Sequence, residues 1–246
     1  MPLDGISSKF LAKELNYELA DAKLDRIYQP NRFTILLIFR AGRTMKKLFI
    51  SANPSSPRIY LINQKIKNPK TPPSFCMLLR KYLLGARLLE ISQPEFERVF
   101  IFKFSTINDL GDPEEKYLVA EIMGRYSNII FLNKDKKIHD ALIHVDQAIS
   151  SKREIMPARS YRLPPAQDKQ AYDYFLQEKP EILSFLNSPE EKGTADRVIL
   201  RNVLGFSPFL SQSIVAAAGI DARTHVDQLR EEEKKKLSQE FYRQTE

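Results

Sequence analysis

The sequence predicts an α+β chain in two parts: an antiparallel β-sandwich or barrel with two helices over residues 1–168, then a small all-α unit over 169–246. Three observations carry this. Short runs rich in Ile, Leu, Phe and Tyr, separated by turn residues, recur from about Leu24 to Val145, as strands do. Two stretches among them have apolar residues at helical spacing instead, and from about Tyr172 the whole pattern is helical.

Taken in order, "SSKFLAKELNYELADA" sets Leu11, Leu15 and Leu19 on one face and predicts a helix capped by Ser7 or Ser8. "LDRIYQ", "RFTILLIFR", "RTMKKLFIS" and "RIYLI" follow as a meander, with "RAGR" at Arg40–Arg43 suited to a tight hairpin. The prolines of "NPKTPPSF" end that run, since proline cannot donate to a ladder. "SFCMLLRKYLLGA" then places Phe75, Leu78, Leu79 and Tyr82 on a helix that Gly85 would stop. Further strands are expected at "RLLEIS", "PEFERVFIFKF", "KYLVAEIM", "NIIFL" and "KIHDALIHV", joined by "NDLGDPEEK" and "NKDKK". Glu97 and Arg98 stand at the mouth of the second of these. "MPARSYRLPPAQ" reads as a linker. Beyond it, "ADRVILRNVLGFSPFLSQSIVAAAGID" predicts two short helices around "GFSP", Ser207 capping the second and Pro208 in its first position. The pair resembles a helix-hairpin-helix unit, whose hairpin N–H groups can hold a phosphate; a plain αα-hairpin packed for stability fits equally well. The charged helix "REEEKKKLSQEFYRQTE" still runs at the last residue, so the chain is expected to be an N-terminal fragment.

Charge is distributed unevenly. Residues 1–165 hold 27 Lys and Arg against 17 Asp and Glu, whereas 166–246 hold 11 against 14. Arg26–Leu89 contains 13 basic residues and no acid. Such a tract is the footprint of a phosphate-binding surface, for nucleic acid or an anionic membrane. The longest apolar run, "ILLIF", is far too short to span a bilayer. One cysteine, Cys76, excludes an internal disulfide, and with three histidines argues against a structural zinc site. Cys76 reads as a small buried hydrophobe. His139 and His144, five apart, fall on opposite faces if they share a strand. No phosphate-binding glycine loop, nucleophile elbow or paired-histidine zinc motif occurs, and no cofactor or metal is expected. Pro2 ahead of a helix and strands resembles the formamidopyrimidine-DNA glycosylases, which use an N-terminal proline as nucleophile. Leu3 stands where that family has a glutamate, so Pro2 is read as structural.

Four stretches together resemble the N-terminal region of the NFACT family: "LDG" (Leu3–Gly5), "SANPSSPRIYL" (Ser51–Leu61), "NPKTPPSFCMLLRKYLLGARL" (Asn68–Leu88) and "EIMGRYSNIIFL" (Glu121–Leu132). "GFSPFLSQSIVAAAGI" is similar to that family's helix-hairpin-helix domain, in the right order. The resemblance implies a glycosylase-like β-sandwich that has lost its chemistry and kept a nucleic-acid surface. It further implies a non-enzymatic, cytoplasmic factor of ribosome-associated quality control, which binds a large ribosomal subunit obstructed by peptidyl-tRNA. Such factors recruit a tRNA, alanine tRNA in bacteria, and promote untemplated tailing of the stalled chain. The family's older name, fibronectin-binding protein A, keeps a fibronectin-binding adhesin as the rival reading, and a DNA glycosylase as a third. The family's coiled coil and second RNA-binding domain would lie beyond residue 246.

The family's Asp-Arg motif aligns with Glu97-Arg98, one methylene longer at the acid. Adjacent strand residues face opposite ways, so both serve one site only at a bulge or bend. Arg98 is the stronger RNA ligand, because its planar fork pairs with phosphate or base edges and stacks on bases. In "MGRYSN", Arg125 and Tyr126 are expected to form a stacking and phosphate-binding tip, with Gly124 at positive φ; the bland alternative is a connector. Arg80 and Lys81 are the remaining RNA-binding candidates, or else the solvated face of their helix.

Overall fold

The computed structural model describes residues 3–108, 110–178 and 183–243. Pro2 and the last three residues of the charged terminal helix lie outside the described residues. The chain divides into two compact units that are discontinuous in sequence. The first holds Leu3, Ser7–Pro94 and Arg98–Pro165; the second holds Asp4–Ile6, Glu95–Glu97 and everything from Ala166 onward.

In the first unit, helix α1 (Gly5–Leu19) buries Ala12, Leu15 and Leu19. It starts at Gly5, so Ser7 and Ser8 lie inside its first turn and are not its caps. Strands β1 (Lys23–Asn31), β2 (Thr34–Ala41), β3 (Thr44–Ser51) and β4 (Arg58–Ile62) form the expected meander. Gly42 takes the positive φ of 58° that the β2–β3 hairpin needs. Helix α2 (Ser74–Leu83) buries Phe75, Cys76, Leu79 and Leu83, and Gly85 at φ 81° turns the chain out of it. Then come β5 (Arg87–Ser92), β6 (Val99–Ile107), β7 (Pro113–Glu121), β8 (Asn128–Leu132) and β9 (Ile138–Ala141).

The nine strands make one antiparallel sheet in the order β4-β3-β2-β1-β5-β6-β7-β8-β9, where two separate sheets were expected. The two meanders meet along a narrow seam in which only Lys23 and Arg87 pair in register. Yet Phe39 of β2 and Phe104 of β6, three strand spacings apart, stack with centroids at 6.4 Å and planes within 5°. A flat sheet would hold them roughly 14 Å apart, so the sheet bends until its halves face each other across a core closed by α1 and α2. Beyond the bend, β6–β9 are buried on their other face too, where Val99, Val119, Ile130 and Ile138 pack with Ile155 and Tyr161. This double burial makes β8 solidly apolar.

Two expectations fail here. "KIHDALIHV" is strand only over Ile138–Ala141; the chain then leaves the sheet and His144 Nε2 reaches back to Asp140 at 2.7 Å. The start of the presumed linker is part of the fold: Ala158 N–H donates to Ile138 O, and Ile138 N–H to Arg159 O, both at 2.8 Å. That segment covers the β9 edge, whose unpaired backbone groups would otherwise be open to other chains.

The second unit is mostly helical: α3 (Tyr172–Glu178), α4 (Leu183–Leu186), α5 (Ala195–Asn202), α6 (Pro208–Ala217) and α7 (Glu231–Arg243). It is not all-α, because β10 (Gln170–Ala171) and β11 (Val203–Leu204) form a short parallel ladder. Phe206 and Phe241 stack at 5.3 Å in its core. Ser207 caps α6 as expected, accepting from Leu210 N–H at 3.2 Å, with Pro208 first in the helix.

Candidate nucleic-acid interface

The two adjacent charges of "PEFER" stand in a turn before β6, not in the strand. Glu95 and Phe96 have φ of 42° and 57°, a left-handed pair that only surrounding structure can hold in non-glycine residues. Within the second unit that structure is present. The Phe96 ring meets Tyr172 edge-on at 5.6 Å, and Gly5 lies so close that a Cβ there would sit 2.0 Å from Phe96 O and 2.6 Å from Gly205 Cα. Gly5 N–H donates to Gly205 O at 3.0 Å. Ser207 Oγ donates to Asp4 at 2.9 Å while capping α6. The opening "LDG" is thereby explained by packing: Asp4 steadies a helix cap and Gly5 admits two backbones.

Glu97 belongs to this unit and accepts from Gln167 Nε2 at 3.2 Å. Burial pulls the Lys169 pKa down, and the Glu97 charge opposes that shift. Arg98 belongs to the first unit. Its carbonyl accepts from Ile122 N–H at 2.8 Å, extending the β6–β7 ladder past Val99 and Glu121. Its half-buried guanidinium makes no hydrogen bond or ion pair among the described residues.

That backbone bond sets Arg98 beside the β7–β8 turn. Gly124 at φ 61° opens a short 3-10 turn over Gly124–Tyr126. Buried Ser127 and Asn128 fix its exit: Ser127 Oγ accepts from Met123 N–H at 2.8 Å, and the Asn128 side chain exchanges hydrogen bonds with the Ile143 backbone at 2.7 and 3.0 Å. Arg125 and Tyr126 project as an exposed pair, the guanidinium carbon 4.7 Å from the ring centroid and Nη2 donating to the phenol oxygen at 2.5 Å. A cation on an aromatic face, next to a second arginine, offers a stacking plane and phosphate donors together.

Behind this turn lies a group that no local pattern announced. Glu121 is fully buried and takes Arg153 Nη1 and Nη2 in a bidentate pair, both at 2.7 Å, plus the Tyr161 hydroxyl at 2.8 Å. Burial works against the Arg153 charge, but the Glu121 hydrogen bonds and charge outweigh it and raise its pKa. Burial, then the Glu121 charge, pushes the Tyr161 phenol far up.

Arg80 and Lys81 are not part of this cluster. Arg80 Nε donates to Ile27 O at 2.8 Å and its guanidinium lies 5.5 Å from the Tyr28 ring, tying α2 to β1. Exposed Lys81 approaches the Tyr82 ring at 5.1 Å, and Lys116 approaches the same ring at 5.2 Å. Lys116 is six residues from Ile122 along β7, roughly 20 Å. His139 meets Tyr82 edge-on at 4.6 Å, and burial, then the Lys116 charge, lowers its pKa. The acid-free tract is also partly neutralised from outside itself: Asp25 pairs with Arg26 and Arg40, and Glu18 with Lys46. Lys65, Lys67 and Lys70 stay exposed on the loop before α2. Cys76 is buried with its thiol pKa raised by desolvation, as a packing residue would be. Among the described residues no helix is long and apolar enough to cross a membrane.

Residues 4–246 match the family model "NFACT N-terminal and middle domains". The chain is 35% identical over 221 residues to the Rqc2 homolog RqcH of Bacillus subtilis, covering 89% of this chain and 38% of that protein. It is 35% identical over 225 residues to the archaeal Rqc2 homolog aRqcH of Methanocaldococcus jannaschii, covering 89% and 31%. It thus spans about a third of the length of these relatives. The N-terminal domain of fibronectin-binding protein PavA from Streptococcus pneumoniae superimposes with a TM-score of 0.76 at 29% identity, covering 87% of this chain and 80% of that one. The chain is therefore homologous to the Rqc2-type ribosome quality-control factors, and it belongs to the NFACT family.

Proposed function

We propose that this chain is the tRNA- and large-subunit-binding part of a ribosome-associated quality-control factor, and that it performs no bond-making chemistry itself. On this reading the whole factor works in the cytoplasm on a large subunit obstructed by peptidyl-tRNA, and recruits a tRNA, alanine tRNA in bacteria, for untemplated tailing. Residues 1–168 are the N-terminal domain, with a glycosylase-like fold emptied of chemistry, and 169–246 are the helix-hairpin-helix domain. The observation that carries the reading is the placement of Arg98 beside the exposed Arg125–Tyr126 pair. Lys81 and the lysines of the loop before α2 add phosphate contacts elsewhere, and Arg80 steadies α2. Glu97 holds the turn from which Arg98 emerges.

The test is tRNA recovery with the full-length factor. Arg98→Ala and Arg125→Ala each lower tRNA occupancy about tenfold while large-subunit binding stays within twofold. Unchanged tRNA recovery in both variants would refute the assignment. Phosphate-driven binding also weakens steeply with salt; a chain that ignored tRNA and held fibronectin at high salt would instead support the adhesin.

A further inference from the structure

A cavity of about 490 Å³ lies in the first unit where the N-terminus of α2 meets the β1–β2 turn and the end of β9. It falls in the size range of small-molecule sites and is too large for a lone inorganic anion. Three features give it chemical direction. Pro73 at the helix N-cap has no side-chain acceptor and no acid stands in the first turn, so the first N–H groups of α2 have no capping partner at the end where the helix favours an anion. Arg32 lines the same cavity and adds a full positive charge. Gln29 lines it too, is only 6% exposed, and its Oε1 has no hydrogen-bond partner. A buried amide oxygen left unpaired is costly, and a ligand that brings an N–H donor removes that cost. Asp140, the one carboxylate in the wall, is already engaged by His144 at 2.7 Å. Pro30, Phe75 and Leu142 supply apolar wall between the anion end and the amide.

We propose that this cavity is a nucleoside-phosphate site: the phosphoryl group sits at the α2 N-terminus and Arg32, and an N–H on the base edge is read by Gln29. The ligand is a free mononucleotide or one splayed nucleotide of a bound RNA. The site shares no residue with the Arg98 and Arg125 cluster, and stands or falls apart from it.

The experiment titrates the chain with the four ribonucleoside monophosphates, their nucleosides, inorganic phosphate and a short single-stranded RNA. At least one monophosphate binds tenfold or more tighter than both its nucleoside and phosphate. Arg32→Ala brings that monophosphate down to the nucleoside's affinity and leaves the nucleoside unchanged. Gln29→Leu removes the orphaned oxygen, so the melting temperature of the ligand-free chain holds or rises while affinity for nucleotide falls tenfold. Tighter binding of the RNA than of every monophosphate names RNA as the source, and the reverse names free nucleotide. The proposal is overturned if neither nucleotides nor RNA bind in a manner sensitive to Gln29 and Arg32, or if Gln29→Leu lowers the ligand-free melting temperature.

Discussion

Replacing Glu121 by Gln tests whether the network behind the β7–β8 turn is structural in the way its geometry requires. The carboxylate is fully buried and accepts three hydrogen bonds, two from Arg153 and one from Tyr161. Glutamine keeps the shape and one acceptor but removes the counter-charge, leaving a guanidinium whose side chain is 12% exposed without its partner. Breaking a buried pair from one side costs about 3–5 kcal/mol. For a unit of this size each kcal/mol lowers the melting temperature by roughly 2–4 °C, so the first unit's transition falls by about 10 °C. Calorimetry or near-ultraviolet circular dichroism, followed against urea, reads this. The double variant Glu121→Leu with Arg153→Met leaves no charge buried, and recovers at least half of the loss. A cost of about 1 kcal/mol or less for Glu121→Gln would sink the argument, because a surface ion pair would give as much. So would a double variant as unstable as the two singles added together, since paired charges must be non-additive.

Two further outcomes follow from the same geometry. Gly5→Ala drives a Cβ to 2.0 Å from the Phe96 carbonyl with backbone on both sides; the second unit loses about 3 kcal/mol, the upper end for overpacking, read as its urea midpoint. His139 has its pKa lowered in the folded chain, so the unfolded chain binds its proton more tightly. Its contribution to stability is therefore complete above the ordinary histidine range near pH 6.5 and is lost as pH falls through that value. The drop in urea midpoint from pH 7.5 to 5.5 shrinks in His139→Gln, and an equal drop in both chains would rule the effect out.

The parts of this fold that were legible in the sequence are those governed by local pattern. Leu15 and Leu19 marked α1, the apolar runs marked eight of the nine strands closely, and Ser207-Pro208 marked the start of α6. What stayed hidden depends on partners far along the chain. Phe96 continued the apolar alternation of β6, and nothing nearby disclosed that left-handed φ values would turn it into the second unit's core. Glu121 and Arg153 are 32 residues apart, and their pairing has no local signature. The basic tract was read as unopposed because its acids, Glu18 and Asp25, lie just outside it. Arg125 and Tyr126 were found because glycine, serine and asparagine write a turn plainly. Arg80 was misjudged as a surface charge because nothing in a helix pattern reveals a carbonyl waiting on the neighbouring strand.

The narrow seam between β1 and β5 bears on how this protein acquires its structure. Each meander, β1 to β4 and β5 to β9, pairs strands that are neighbours in sequence, and such short loops close quickly and at little entropic cost. The seam joins Lys23 to Arg87 across a far longer loop for a single registered pair. It has no reward of its own until both halves exist to be pressed together, so the two meanders form first and independently. The stacking of Phe39 on Phe104 then belongs to the last event of assembly in this unit: a clasp that closes over finished parts.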